Sequence, residues 1–401
     1  MPPAATPKAK VSARGRARVA SGQVWIYRQD VLLGPENDAN SGGPAVVQVT
    51  DERNRPLATA TWSAQSPVAL RILDRDVARS TLPDLLSIVR ARLERARARR
   101  ASLGLDRDAW RVVHGESDAL PGLFIDLYAD VAVVQTTSVA MDAEHAAIAE
   151  IARTSLGARM VVSRDDGSAR DFESLPRRRA ILCGQGSTEI EYRLGPNRLV
   201  ADLMTDSKTG GFLDQADNHA LVAALAPQGA RCLDAFTYHG GFALALARKG
   251  GAVLATDEDA QAVARAQANA ARNNLANLTA RQANAFDLLR SLESAGERFD
   301  VVVLDPPAFA KRKSGDQAAE RAYREIILRG LRLAVPDGLV VACSCSGRVS
   351  REDFDGIVAA AGADSGRAVQ VLARMGAGRD HPELVGVPET GHLKCWVLRV
   401  V

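Results

Sequence analysis

Paired cysteines are what this 401-residue chain most plainly lacks. Its five, Cys183, Cys232, Cys343, Cys345 and Cys395, are odd in number, scattered and without metal-ligand spacing, which argues against a disulfide framework and against a zinc site. No metal is expected, and a cysteine with a special role should be a reactive thiol. No apolar run reaches the ~18 residues that span a bilayer, and Met1-Pro2-Pro3-Ala4-Ala5 has no apolar core like that of a signal peptide. A cytoplasmic protein without a membrane partner is expected. Internal repeats are also lacking. Excess charge of one sign is small: 51 Lys and Arg against 48 Asp and Glu leave +3, too little by itself to require a polyanionic partner.

What is present is an ordinary globular composition, 46% hydrophobic and 25% charged, in a length that suits two or three domains with separate cores. The basic residues are unevenly placed. Lys8, Lys10, Arg14, Arg16 and Arg18 occur without an acid among them, and the stretch from Arg90 to Arg100 carries six arginines against Glu94 alone. These are candidates for gripping RNA; the alternative is a mobile basic tail and a solvated helix face.

Residues 1–75 read as short β segments, Gln23–Tyr27, Ala45–Val49 and Val68–Leu73, broken by Gly, Pro, Asn and Asp, which predicts a small β-barrel-like module. Residues 76–195 read as a central α+β domain: a helix over about 82–103, a hairpin of Phe124–Leu127 with Val131–Thr136, and a helix over 143–156. Residues 196–401 alternate apolar strands with alanine-rich helices, the pattern of a doubly wound, mainly parallel α/β sheet. In such a sheet a ligand lies beyond the carboxyl ends of the strands, so the residues that follow each apolar run carry the site.

The first run ends in Asp234-Ala235-Phe236-Thr237-Tyr238-His239-Gly240-Gly241, whose adjacent glycines permit a tight turn and close backbone approach. The second ends in Asp257, about twenty residues beyond Gly240, the spacing at which a carboxylate accepts from both hydroxyls of a ribose. A Gly-x-Gly-x-x-Gly fingerprint for a pyrophosphate is missing, which favours S-adenosylmethionine over a nicotinamide dinucleotide. Asn284, after a third strand, is placed for the adenine edge; its alternative is a turn residue. The fourth run ends in Asp305-Pro306-Pro307-Ala308-Phe309. Two prolines remove two N–H donors and leave carbonyls to accept from an exocyclic amine, and Phe309 offers a face for a base.

The fifth run ends in Cys343-Ser344-Cys345-Ser346-Gly347. Methylating C5 of a cytosine calls for a thiolate to add at C6, and a cysteine at a strand end can do this. Cys343 and Cys345, two apart, should face the same way on a strand, and Cys345 is nearer the tip. The other cysteines are expected to be buried apolar residues, and His239 and His381 to be structural.

These motifs, with Lys208-Thr209-Gly210-Gly211-Phe212-Leu213-Asp214-Gln215, Gly115-Glu116-Ser117-Asp118-Ala119-Leu120-Pro121-Gly122 and Asp380-His381-Pro382, closely resemble bacterial 23S rRNA (cytosine-C5) methyltransferases over nearly the whole chain. The resemblance implies a PUA-like RNA-binding domain, a central α+β domain and a Rossmann-like class I methyltransferase domain. It further implies S-adenosylmethionine as cofactor, 23S rRNA or a large-subunit assembly intermediate as partner, and a homodimer. It places Asp234, Phe236, Gly240 and Asp257 at the donor, with Asp214 and Asp305 nearby, and Cys345 as nucleophile with Asp305 holding or protonating the base; the residue reading adds Tyr238, Gly241 and Asn284 at the donor and Pro306, Pro307 and Phe309 at the target base. The chain departs from relatives at Asn284, where an acid is common, and at His239, where a small residue is frequent; the proline loop lacks the second cysteine of many RNA cytosine-C5 enzymes. The rivals are a guanine-N7 or adenine-N6 methyltransferase, which needs no cysteine, and a non-catalytic ribosome-assembly factor.

Overall fold

The computed structural model describes residues 6–35, 45–76, 82–309 and 316–401. They form two compact units: Met1–Ile190 with Ala201–Gly210 and Pro382–Thr390, and Glu191–Val200 with Gly211–His381 and Gly391–Val401. The first unit therefore holds both of the segments that the sequence divides at residue 75.

Within the first unit, six strands, Lys8–Val11, Trp25–Tyr27, Val31–Leu33, Val46–Thr50, Pro56–Trp62 and Val68–Asp74, make one sheet. Ala9, Val11, Ile26, Val47, Val49, Ala60 and Leu70 fill its core. The basic stretch at residues 8–18 is no mobile tail. Lys8–Val11 pairs in parallel with Val46–Thr50, its alternation turning Ala9 and Val11 inward and the lysines outward. Ala13–Ala20 then forms a helix capped by Ser12, whose hydroxyl accepts from Gly15 N at 3.2 Å. Arg14 and Arg18 both bind the buried carboxylate of Asp30. The sequence reading missed this helix because three arginines obscure its apolar face.

A second sheet runs in simple order through Ala109–His114, Leu123–Tyr128, Val131–Thr136, Met160–Asp165 and Arg178–Gly184, with helices Leu85–Ala101 and His145–Leu156 against it. Leu123–Tyr128 and Val131–Thr136 form the expected hairpin. Part of the second arginine run is internal: Arg100 is buried and grips Asp118 through two bonds of 2.6 and 2.7 Å.

The second unit is a doubly wound sheet. Its strands are β1 (Cys232–Asp234), β2 (Val253–Asp257), β3 (Leu278–Gln282), β4 (Phe299–Leu304), β5 (Ala334–Ser344), β6 (Val369–Met375) and β7 (Lys394–Val400), in the spatial order β3-β2-β1-β4-β5-β7-β6. The first five are parallel, and β7 runs antiparallel to both β5 and β6. The helices are α1 (Ala216–Leu225), α2 (Gly241–Ala247), α3 (Ala260–Arg272), α4 (Ala285–Ser294), α5 (Asp316–Leu333) and α6 (Arg351–Ser365). Covered on both faces, β4 reads as nearly unbroken Val and Leu, all fully buried from Val301 to Leu304. Strand order reverses between β1 and β4, where such sheets open a crevice for ligand. No helix among the described residues is long and apolar enough to cross a membrane.

Candidate active site

Register brings the site together. Asp234 lies level with Ala255 of β2 and Val303 of β4, and Val303 level with Val341 of β5. Asp257 and Asp305 therefore stand two residues beyond Asp234's level, and Cys345 four beyond, all at the carboxyl edge. The expectation that Cys343 and Cys345 share a strand face fails, because β5 ends at Ser344. Cys343 is buried opposite Cys395 of β7; Cys345 sits in the turn that follows, half-buried.

The turn after β1 is shaped by backbone conformation and by the acid behind it. Gly240 adopts φ +92° and Tyr238 φ +48°, both in the left-handed region, where glycine is at ease and tyrosine needs support. That support comes from Asp257, which accepts from Tyr238 N at 2.9 Å, and from the Tyr238 ring, stacked on His239 at 3.7 Å and edge-on to Phe212 at 4.9 Å. At Gly241 a Cβ would come within 2.4 Å of the His219 ring, so helix α2 can begin so close to α1 only with glycine there.

Asp234 is buried; Thr237 donates to its Oδ2 at 2.8 Å, and its Oδ1 has no hydrogen-bond partner. Burial, and then the charge of Asp257, push its pKa up to about 7. Asp305 accepts from Gln215 Nε2 at 2.9 Å, and Gln215 in turn accepts from Asn218 at 2.6 Å. Burial and the neighbouring charges of Asp214 and Asp234 raise Asp305 to about 8. Asp214 lies 3.6 Å from His392 Nε2. Phe236 is half-buried beside the turn.

Asp214, Asp234 and Asp257 collected at one crevice beside the protonated Asp305, with one buried oxygen of Asp234 left unpaired, suit a cationic ligand better than a pyrophosphate. S-adenosylmethionine, with its sulfonium and ammonium, fits this charge pattern.

Asn284 caps α4, its side-chain oxygen accepting from Phe286 N and Asp287 N at 3.1 and 3.3 Å. The turn role is thus real, and it occupies the side-chain oxygen. In the proline loop Pro306 is buried and Pro307 exposed, while the Phe309 ring leans on Tyr323 and Phe286 with centroids 4.8 and 5.8 Å apart. Four residues of this edge escaped sequence reasoning: Gln215, Asn218, Tyr323 and Lys394. The only local signal was Lys394, a lone cation in the apolar run from Leu393 to Leu398.

Residues 9–75 match a PUA-like domain and residues 227–374 a methyltransferase domain. A ribosomal RNA large subunit methyltransferase I of Tolumonas auensis is 35% identical over 393 residues, spanning 94% of this chain and 95% of that one. Its counterpart from Aeromonas hydrophila is 35% identical over 385 residues, with 94% of each covered. Among solved structures, SMU.776 complexed with SAH superposes with a TM-score of 0.82 at 18% identity, covering 98% of this chain and 100% of that one. Trm5b from Pyrococcus abyssi reaches 0.53 at 15% identity over 69% of this chain and 74% of its own. These two speak to the fold. The sheet has the class I methyltransferase architecture, and the likeness to the curated relatives runs the length of both chains, so this chain belongs to the ribosomal RNA large subunit methyltransferase I family and uses S-adenosylmethionine as its methyl donor.

Proposed function

We propose that the chain forms 5-methylcytosine in 23S rRNA, with Cys345 as the nucleophile that adds to C6 of the target base. The observation that carries this reading is the position of Cys345. Of the four cysteines in the second unit, Cys232, Cys343 and Cys395 are buried, whereas Cys345 is half-buried beyond β5 on the edge that bears Asp234, Asp257 and Asp305. The names of the curated relatives and the PUA-like match support RNA of the large ribosomal subunit as substrate.

C5 of cytosine is a weak nucleophile, and the residues of this edge can correct that. Asp305, raised to about 8, still carries its proton at neutral pH and donates it to N3 as the Cys345 thiolate forms a bond to C6, which moves electron density to C5. The carbonyls of Pro306 and Pro307 accept from the exocyclic amine, and the exposed part of Phe309 meets the base face. Bound S-adenosylmethionine supplies an electrophilic methyl on a sulfonium, with the corresponding thioether as leaving group. The C5 proton then passes to solvent, the one proton the reaction releases; as it leaves, the Cys345–C6 bond breaks, the C5–C6 double bond reforms, and the N3 proton returns to Asp305. On the donor side Asp257 takes the ribose hydroxyls, Asp234 and Asp214 face the positive groups, Phe236, Tyr238, Gly240 and Gly241 form the wall, and Asn284 meets the adenine.

Bisulfite mapping of 23S rRNA from cells lacking the protein, complemented with wild type or Cys345→Ala, tests this. One cytosine should lose its methyl and regain it only with wild type. Methylation that persists in Cys345→Ala, or appears on a ring or exocyclic nitrogen, would replace this reading with nitrogen methylation.

A further inference from the structure

The first residue of β7 is a lysine inside the sheet. Lys394 lies opposite Ser344, the last residue of β5, and is 1% exposed. Its ammonium donates to Ser346 O at 2.6 Å and to His392 O at 2.8 Å. Removing an ammonium from water is costly, and two neutral carbonyls repay only part of it; a hydrophobic side chain would pack here at less expense, since Leu393 and the run from Cys395 to Leu398 are apolar and buried. The charge is therefore kept for what stands next to it. The anionic groups acting on it are Cys345 and, from the first turn of α6, Asp353, with Arg351 opposing. Burial outweighs them and brings Lys394 down to about 8. From α5, Tyr323 is pushed up to about 12 by burial first and then by the charges of Cys345 and Asp305.

We infer that Lys394 is a positioning residue for Cys345: its buried ammonium ties down the carbonyl of Ser346, directly after the cysteine, and supplies a positive charge at neutral pH that holds the sulfur as thiolate. This rests on the reading of Cys345 as nucleophile. A thiolate in the free enzyme would then need no separate base for its activation, which matters here because the proline loop offers none but a protonated Asp305. Ser346 O and His392 O, both on one ammonium, also lock the turn after β5 to the segment before β7, fixing where the sulfur sits relative to Asp305.

The test is the pH dependence of Cys345 alkylation by iodoacetamide in the full-length protein, localised by fragmentation mass spectrometry so that Cys343 is read separately. Wild type should react with a midpoint clearly below the ~8.5 of an ordinary thiol. Lys394→Gln, which retains two N–H donors without charge, and Lys394→Met should move the midpoint up by about one unit or more, while Lys394→Arg should restore it in part; S-adenosylmethionine binding by calorimetry reports whether each variant is folded. A wild-type midpoint at the ordinary thiol value overturns the inference without any variant, as does a folded Lys394→Gln with the wild-type profile. The two failures are separable: an unchanged profile beside Cys345-dependent 5-methylcytosine removes only the role of Lys394, whereas a shifted profile with a nitrogen-methylated product removes the C5 reading and leaves the charge pairing.

Discussion

At the scale of single residues, Asp305 shows a site acting against stability. Its carboxyl holds a proton to about pH 8 because burial and the charges of Asp214 and Asp234 disfavour ionisation, while the unfolded chain releases that proton near 3.8, the ordinary value for an aspartate. A folded pKa raised above the unfolded one means that the stability contributed is full below the lower value and is lost as pH rises through the upper. Asp305→Asn cannot ionise and can still accept from Gln215. Its melting temperature should therefore exceed that of wild type, with the gap opening as pH rises through that interval and levelling above it, while methyl transfer falls by about 10²-fold or more for want of an N3 proton donor. Melting curves at several pH values and single-turnover rates check both; a variant no more stable than wild type at alkaline pH would refute the burial argument. Asp234, Asp257, Asp305 and Cys345 were legible in the sequence because each ends an apolar run. Gln215, Asn218 and Tyr323 were not, since a glutamine or tyrosine on a helix gains meaning only from what faces it.

At the scale of elements, the helix Leu85–Ala101 shows how far a charge run can mislead. Six arginines read as one solvated or RNA-gripping face, yet Arg100 is turned inward onto Asp118, with side chains 3% and 1% exposed, and Arg92 donates to Leu73 O at 2.8 Å. Arg100→Ala would leave buried Asp118 with only His114 N at 2.7 Å and the more exposed Arg99 at 3.5 Å, and the loss should be about 3 kcal/mol, the low end for a broken buried pair. Urea denaturation of this variant and of Arg100→Ala/Asp118→Ala checks it: the double variant should recover part of the loss, and a single variant as stable as wild type would show the pair to be dispensable. Helix Ala13–Ala20 was missed for the same reason, because arginine periodicity says nothing of which arginine meets Asp30. The apolar runs that end at Asp234, Asp257 and Asp305 coincide with parallel strands ending at Asp234, Asp257 and Leu304, since a strand covered on both faces needs an apolar run and little else can supply one.

At the scale of the whole molecule, charge is sorted by place. The chain carries +3 overall, yet Asp214, Asp234, Asp257 and Asp305 gather at one edge of one sheet, so the crevice attracts a cation. A cationic donor stabilises ionised Asp234, whose pKa in the free protein is about 7. Donor affinity should thus rise with pH until about 7 and then level, by at most about tenfold per unit, with close to one proton released. Calorimetry in two buffers of different ionisation enthalpy measures this; affinity independent of pH across that range would separate Asp234 from the donor. Composition and periodicity by themselves determined that the second unit is a doubly wound sheet, that its ligand edge carries aspartates and a cysteine, and that a phosphate-free nucleoside donor suits the turn after β1, because all of these depend on local pattern and on spacing along the chain. Only the tertiary structure decided that Cys343 and Cys345 part company at the end of β5, that Asn284 spends its oxygen on a helix cap, and that a lysine from β7, remote in sequence, lies under the cysteine turn. Strand register and the antiparallel return of β7 set those contacts, and neither is written in any one segment.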